Sequence, residues 1–164
     1  DRQLRQLSDH VAGREPLFKH EDQRRTFQRL QHVSTELLLW LQSCPLHIEE
    51  EDFLLVHAGI HPEKGLSGTS RDEFLTIRTW PPMDDLEGPR WHDVLAPVEG
   101  RTLIFGHDAP GGLVLRRERD DRRPWLLGLD SGCIYGGALS AWIMEEDRLV
   151  QIDSRQGDGS RWWR

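Results

Sequence analysis

Two apolar runs of strand length each end on a histidine, and this repeated ending constrains the fold more than any other feature. Residues 53–62 read FLLVHAGIHP, and residues 101–112 read RTLIFGHDAPGG. Small residues beside each histidine let the backbone and a ligand approach closely. Because ligands of α/β sheets bind in the crevice beyond the carboxyl ends of the strands, we expect His57 and His107 to meet at one site.

The composition limits the class of protein. A chain of 164 residues is long enough for one domain with a core, and no apolar run approaches the roughly 20 residues of a membrane span. The first residues lack the apolar segment of a secretory signal. Two cysteines, Cys44 and Cys133, are too few for a disulfide framework. We therefore expect a soluble, cytoplasmic protein with free thiols and no membrane partner.

The net charge bears on the choice of ligand. A charge of −7 argues against a broad nucleic-acid-binding surface, because such a surface needs a basic face. It leaves a phosphate substrate possible, since a bound metal ion can dominate the local field.

Apolar spacing predicts the secondary structure. Phe27, Leu30, Leu37 and Leu41 recur at helical period, so we expect one packed helix over residues 22–43. Ser70 is placed to cap a short helix over residues 72–78. Apolar runs bounded by turn residues predict two strands around the acidic turn 49–52, then strands over 102–106, 113–117, 125–129, 138–145 and 149–152. The expected fold is α/β, with a mainly antiparallel sheet and flanking helices.

Two further residues are candidates for chemistry, and each has an ordinary structural alternative. Asp130 follows a third apolar run, where a carboxylate is costly unless it is paired or bound to a metal; the alternative is a turn aspartate that bonds its own backbone. Arg78 offers a bidentate fork for phosphate oxygens, or is a surface arginine at a helix end. Either histidine alone is more simply a satisfied core residue. The remaining histidines that we interpret as surface or packing residues are His10, His32, His47 and His92.

Three motifs in order, VHAGIHP, IFGHDAP and LDSGCIYGGALSAWIM, resemble the C-terminal half of the calcineurin-like metallophosphoesterases. The bacterial phosphoprotein-phosphatase branch is the most similar; it includes symmetrical diadenosine tetraphosphate hydrolases, phage-type protein phosphatases and a polynucleotide phosphatase domain. The resemblance covers residues 1–153 and implies the second half of a four-layer αββα sandwich, followed by a mobile tail over 154–164.

The resemblance implies a role for each candidate residue. His57 and His107 match the histidines that bind one of two bridged divalent metals, with Mn²⁺ expected and Fe, Zn, Mg or Ni as alternatives. Arg78 lies where family members contact the substrate phosphate, and Asp130 matches an active-site aspartate. The implied reaction is metal-dependent hydrolysis of a phosphoester or phosphoanhydride, in which two metals clamp the phosphate and acidify a water. His20 lacks the expected Gly-Leu after it and receives no role.

The family's first three motifs, which supply its other metal ligands, are absent from the sequence. Asp1 resembles the residue after the family's Gly-Asn-His, so we expect the chain to begin inside the third motif and to be inactive without the N-terminal half. One alternative is a non-catalytic remnant or binding module, and another is a one-metal histidine site of unrelated chemistry. The substrate stays open among dinucleoside polyphosphates, phosphoproteins and nucleic-acid end phosphates.

Overall fold

A computed structural model of the chain describes residues 13–14, 18, 21–30, 32–83, 88–98, 100–118 and 123–155. His10, His20 and the part of the expected tail over 156–164 lie outside these residues. The chain divides into two compact units, Asp1–Pro45 and Leu46–Arg164. Within the described ranges, no helix has the length and apolar character needed to cross a bilayer.

The first unit contains two helices where the apolar spacing predicts one. Helix α1 spans Glu21–Leu30 and helix α2 spans Thr35–Ser43. Ser34 begins α2 as its N-cap, because its hydroxyl accepts a hydrogen bond of 3.2 Å from the Leu37 amide. The prediction of one continuous helix over 22–43 is therefore wrong.

Burial in this unit is also narrower than the spacing indicates. Phe27 is buried and its ring lies 5.2 Å from that of Phe18. Leu37 is 45% exposed and Leu41 is 38% exposed. Within the expected apolar stripe, Phe27 is therefore buried, whereas Leu37 and Leu41 of the second helix are partly exposed to solvent.

The second unit carries one helix and seven strands in the described residues. Helix α3 spans Arg71–Thr76. The strands are β1 His47–Glu49, β2 Phe53–Val56, β3 Thr102–Phe105, β4 Val114–Arg116, β5 Leu126–Gly128, β6 Ala138–Ile143 and β7 Arg148–Asp153. Short 3-10 turns lie at Leu66–Gly68, Trp91–Asp93, Ala109–Gly111 and Cys133–Tyr135. Each expected strand is present, with ends that differ by one or two residues.

Five of these strands form one mixed sheet. Their order is β1-β2-β3-β5-β4, and β6 pairs with β7 in a separate two-stranded sheet. The central pairs β2-β3 and β3-β5 are parallel, while β1-β2 and β4-β5 are antiparallel. The α/β class with flanking helices is confirmed, and most strand pairs are antiparallel as expected, although the centre of the main sheet is parallel. Parallel β2, β3 and β5 therefore send their carboxyl ends to one edge.

The core beneath this edge is closely packed. Trp91, Leu103 and Leu126 have no exposed surface. A Cβ added at Gly59 would lie 2.5 Å from the Trp91 ring, closer than real side chains approach. The segment after β2 therefore needs glycine at position 59. Closely packed aromatic and aliphatic side chains support the loops at the strand ends.

Helix α3 is fixed at its start by a capping box. The Ser70 hydroxyl accepts from the Glu73 amide at 3.3 Å, and the Glu73 carboxylate accepts from the Ser70 amide at 2.7 Å. The helix ends at Thr76, two residues before the expected end, and Ile77 is extended. Because the chain leaves the helix there, Arg78 lies in the segment that passes the edge of the sheet.

Candidate active site

The two strand-end histidines lie side by side. His57 follows β2 and His107 follows β3, separated from it only by Gly106. The Gly106 amide donates to the His57 carbonyl at 2.8 Å, which joins the two loops. Nε2 of His57 lies 3.2 Å from Nδ1 of His107, and the ring centroids are 4.9 Å apart. The parallel pairing of β2 with β3 thus brings the two rings together, as the repeated ending predicts.

The backbone of His107 adopts the left-handed conformation, with φ of 67°. This region is uncommon for residues other than glycine, and such strain persists only when the surroundings enforce it. The next residue, Asp108, is only 2% exposed and its carboxylate accepts from the Gly111 amide at 3.3 Å. Nε of Arg90 lies 3.3 Å from Oδ2 of Asp108. The loop that presents His107 is therefore held by a buried ion pair.

Arg78 is positioned by the segment that contains Arg90. The Trp91 amide donates to the Arg78 carbonyl at 3.2 Å, and Thr79 forms a bridge with Arg90. Nε of Arg78 is buried and makes no hydrogen bond to the described residues. Burial lowers the pKa of the Arg78 guanidinium and Asp108 opposes that shift, so the group stays cationic. Arg78 lines the pocket with both histidines, so its positive charge can attract an anion there.

Asp130 lies just after β5 at the same edge. The Leu129 amide donates to the Phe105 carbonyl at 2.9 Å, which fixes the start of this turn. Oδ1 of Asp130 accepts from the Gly132 amide at 3.1 Å. This is the local hydrogen bond that the turn interpretation predicts, and the residue lies in the pocket with the histidines as well.

One pocket of about 480 Å³ unites all four candidate residues, which are His57, Arg78, His107 and Asp130. Its remaining lining consists of Ala109, Pro110, Cys133, Ile134 and Tyr135. In the part of the chain that the structure describes, no group of three or more His, Cys, Asp or Glu side chains could hold a metal ion. The described residues thus offer two imidazole nitrogens to one ion.

The electrostatics of the pocket keep both imidazoles neutral at pH 7. Burial lowers the pKa of His107 to about 4, and the charge of Arg78 acts in the same direction. The pKa of His57 is also lowered, mainly by burial and then by Arg78, while Asp130 opposes the shift. Neutral imidazole is the form that binds metals. Two ligands of one ion, each about 2.0–2.1 Å from it, place their nitrogens at roughly the separation observed, so the pair fits a metal.

A larger pocket lies at the opposite end of the strands. Its volume is about 730 Å³, and its lining includes Asp52, Arg101 and Trp125, which precede β2, β3 and β5. Arg123 and Asp52, both in this lining, form an ion pair of 3.1 Å. No histidine is found among its described lining residues. We therefore place the candidate chemistry at the smaller pocket.

Two other histidines are buried for structural reasons. Nδ1 of His61 accepts from the Glu63 and Lys64 amides at 3.1 and 3.2 Å. His92 contacts Arg116, whose guanidinium donates to the His92 carbonyl at 2.7 Å. Sequence reasoning placed His92 among surface or packing residues and left His61 without a role. It also missed Arg90 and Asp108, and the only signal for Asp108 was its position three residues before Gly111 in a turn sequence.

Comparison with known proteins gives relatives of one kind. No family model matches the chain. A symmetrical bis(5'-nucleosyl)-tetraphosphatase of Methylobacillus flagellatus is 29% identical over 77% of the chain, and one of Chromobacterium violaceum is 28% identical over 71%. The chain spans 64% and 60% of the length of these curated relatives.

A solved structure shares the fold. It is a crystal structure of a protein provisionally described as a diadenosine tetraphosphatase, with a TM-score of 0.63 and 23% identity. The match covers 94% of this chain and 65% of the other. The chain therefore has the fold of that protein, and its similarity to named tetraphosphatases supports the resemblance to metallophosphoesterases.

Proposed function

We propose that this chain forms part of a metal-dependent hydrolase that cleaves a phosphoanhydride bond, with dinucleoside tetraphosphates as the first substrate to test. The observation that carries the proposal is the 3.2 Å separation of two neutral imidazole nitrogens in a pocket that also holds the buried cation of Arg78. The names of the similar proteins support a dinucleoside polyphosphate over the phosphoproteins and nucleic-acid ends that the motifs alone leave open.

Each residue of the pocket has a proposed task. Nε2 of His57 and Nδ1 of His107 would hold a divalent ion, for which Mn²⁺ is our first expectation. Such an ion, when bound, polarises phosphate oxygens and lowers the pKa of a bound water. Arg78, which lines this pocket, would bind a phosphate oxygen and offset the negative charge. Asp130 would hold the turn at the pocket by accepting a hydrogen bond from the Gly132 amide, and would place a negative charge near His57.

The described residues make only part of such a site. A catalytic metal usually has at least three protein ligands, and the described ranges provide no such group. We propose that the further ligands, including those of a second metal, come from residues outside these ranges. The same shortage favours the second candidate, a binding module that keeps the fold and the histidine pair without catalysing hydrolysis.

Metal titration of the 164-residue chain tests the proposal. We expect Co²⁺ or Mn²⁺ to bind weakly, and His57→Ala or His107→Ala to reduce the affinity by at least about tenfold, because each removes one of two nitrogen ligands. His32→Ala, at an exposed position, is the matched control and should leave the affinity unchanged. Equal affinities for the wild type and the two pocket variants would contradict the shared-metal site.

A further inference from the structure

A second pocket of about 360 Å³ adjoins the histidine pocket. It lies between the 3-10 turns Ala109–Gly111 and Cys133–Tyr135. Ala109, Pro110 and Tyr135 line both pockets. A ligand in the histidine pocket can therefore extend past Tyr135 into the second pocket.

The second pocket is uncharged, although glycine-rich turns border it. Such turns often bind phosphate through free backbone amides. Here the amides are already used: Gly112 donates to the Asp108 carbonyl at 3.2 Å, Gly136 to Cys133 at 3.2 Å and Gly137 to Gly132 at 2.9 Å.

The remaining glycine amides of this lining are also occupied. Gly111 donates to the Asp108 carbonyl at 2.8 Å, and Gly132 donates to Asp130 at 3.1 Å. None of the described lining residues is an arginine, lysine or histidine. A phosphate placed there would lose hydration without gaining a cationic side chain or a glycine amide, so the pocket suits an uncharged group better.

The histidine pocket has an exposed apolar side chain in addition to the charged Arg78. Ile134 lies at that pocket and is 75% exposed, the largest exposure among the apolar side chains described as exposed. Arg78 and Tyr135 both line the histidine pocket. The two pockets together thus present the cation of Arg78, the ring of Tyr135, which lines both pockets, and the apolar side chain of Ile134.

We propose that the second pocket binds the nucleoside of a nucleotide whose phosphate chain lies against Arg78. The proposal rests on the phosphate-binding role of the histidine pocket and adds the residues that recognise the base and ribose. Tyr135 offers a ring on which a base can stack, and Ile134 covers the apolar edge of that base. Pockets of this size are in the range that accepts small organic ligands.

Nuclear magnetic resonance titration of the 164-residue chain, without added metal, tests this assignment. One probe is diadenosine tetraphosphate and the other is inorganic tripolyphosphate. We expect the nucleotide to bind at least about tenfold more tightly, since a base that stacks on an aromatic ring adds to the affinity. The amides of Gly112, Gly136 and Gly137 should shift with the nucleotide alone, whereas both probes should perturb Arg78.

Two pairs of variants localise the effect. Ile134→Ser should remove most of the difference in affinity between the two probes and leave the affinity for tripolyphosphate unchanged. Its control is Leu139→Ser, at a position 61% exposed on β6, which should leave the affinities for both probes unchanged. Leu113→Trp should narrow the second pocket and weaken the nucleotide alone, whereas Leu115→Trp, outside both pockets, should not.

The outcomes separate this inference from the proposed function. If tripolyphosphate binds as tightly as the nucleotide, or if Ile134→Ser and Leu113→Trp match their controls, the nucleoside pocket is wrong. The phosphate role then stands as long as Arg78→Ala weakens both probes. If neither probe binds, the nucleoside pocket and the phosphate-binding role of Arg78 are both wrong, whereas the metal site is judged separately by the metal titration of His57→Ala and His107→Ala.

Discussion

The backbone of His107 sits in a strained conformation, and a buried ion pair on the next residue is the feature that holds it. A left-handed residue other than glycine costs about 1–3 kcal/mol, and the φ of 67° places His107 in that class. Asp108 contacts Arg90, and the chain beside Arg90 bonds the backbone of Arg78. The pair therefore joins the loop of the candidate metal ligand to the segment of the candidate phosphate ligand.

A double-mutant cycle on this pair gives the first prediction. We expect Asp108→Asn and Arg90→Gln each to lower the free energy of unfolding by about 3 kcal/mol, because each leaves a buried partner without its opposite charge. The double variant should lose less than the sum, with a coupling of about 1–3 kcal/mol. Urea unfolding measures all four proteins. Strictly additive losses would show that the two side chains act independently.

The buried imidazole of His92 leads to a prediction about pH. Burial and the nearby charge of Arg116 lower the pKa of His92 to about 4, while Asp93 acts in the opposite direction. The unfolded chain takes up this proton near 6.5, so stability is fully present above pH 6.5 and falls as the pH drops toward 4. The shift corresponds to about 3 kcal/mol.

Unfolding free energies measured between pH 7 and 4 test this effect. His92→Gln should make the pH dependence less steep, because glutamine does not titrate and only the other lowered histidines remain. His32→Gln, at an exposed position, should preserve the wild-type slope. A His92→Gln profile as steep as that of the wild type would assign the pH dependence to other groups, of which His57 and His107 have the same sign.

At the level of the elements, apolar spacing predicts which segments form helices and strands. It does not predict where a helix ends or how the strands pair. The break between α1 and α2 depends on the Ser34 hydroxyl and on bonds from His32 and Val33 to the preceding turn. The apolar residues keep their spacing across this break, so periodicity alone cannot detect it. Ser34 followed by Thr35 and Glu36 was the available signal, since serine is a favoured N-cap.

The exposure of α2 gives a prediction that differs from the packed helix expected over residues 22–43. Leu37→Ala should cost less than about 1 kcal/mol, because the side chain is 45% exposed. Phe27→Ala, at a buried position, should cost about 3–5 kcal/mol. Urea titration followed by the helical circular dichroism signal compares the two variants. A loss from Leu37→Ala equal to that from Phe27→Ala would mean that α2 is packed through this leucine.

Local sequence patterns also could not predict the parallel direction of the central strands or all the residues of the site. A strand signal says nothing about its partner, although the long connection from β2 to β3, which contains α3, is typical of a parallel crossover. His57, His107 and Asp130 could be chosen from the sequence because each follows an apolar strand. Arg90 could not, because its role depends on a contact with Asp108 that only the folded loops create.

At the scale of the whole molecule, the fold and the histidine pair are present, and the described residues contain no group of three or more side chains that could hold a metal ion. The chain spans about 60–64% of its curated relatives. The shortage of ligands bears on the proposed catalysis, because a clamp on the attacking and leaving oxygens needs a second metal. We therefore expect the 164-residue chain to be a poor catalyst when it is assayed by itself.

The last prediction compares this chain with an extended protein engineered to carry, in addition, the three motifs that its sequence lacks. With Mn²⁺ and diadenosine tetraphosphate, the extended protein should exceed the 164-residue chain in turnover by at least about 100-fold, because the loss of a single group that stabilises the transition state already costs about that much. His57→Ala or His107→Ala should abolish the activity of the extended protein, and His32→Ala should preserve it. Comparable turnover from the short chain would mean that its site is complete without further ligands. Metal binding by both proteins without turnover by either would instead favour the binding module.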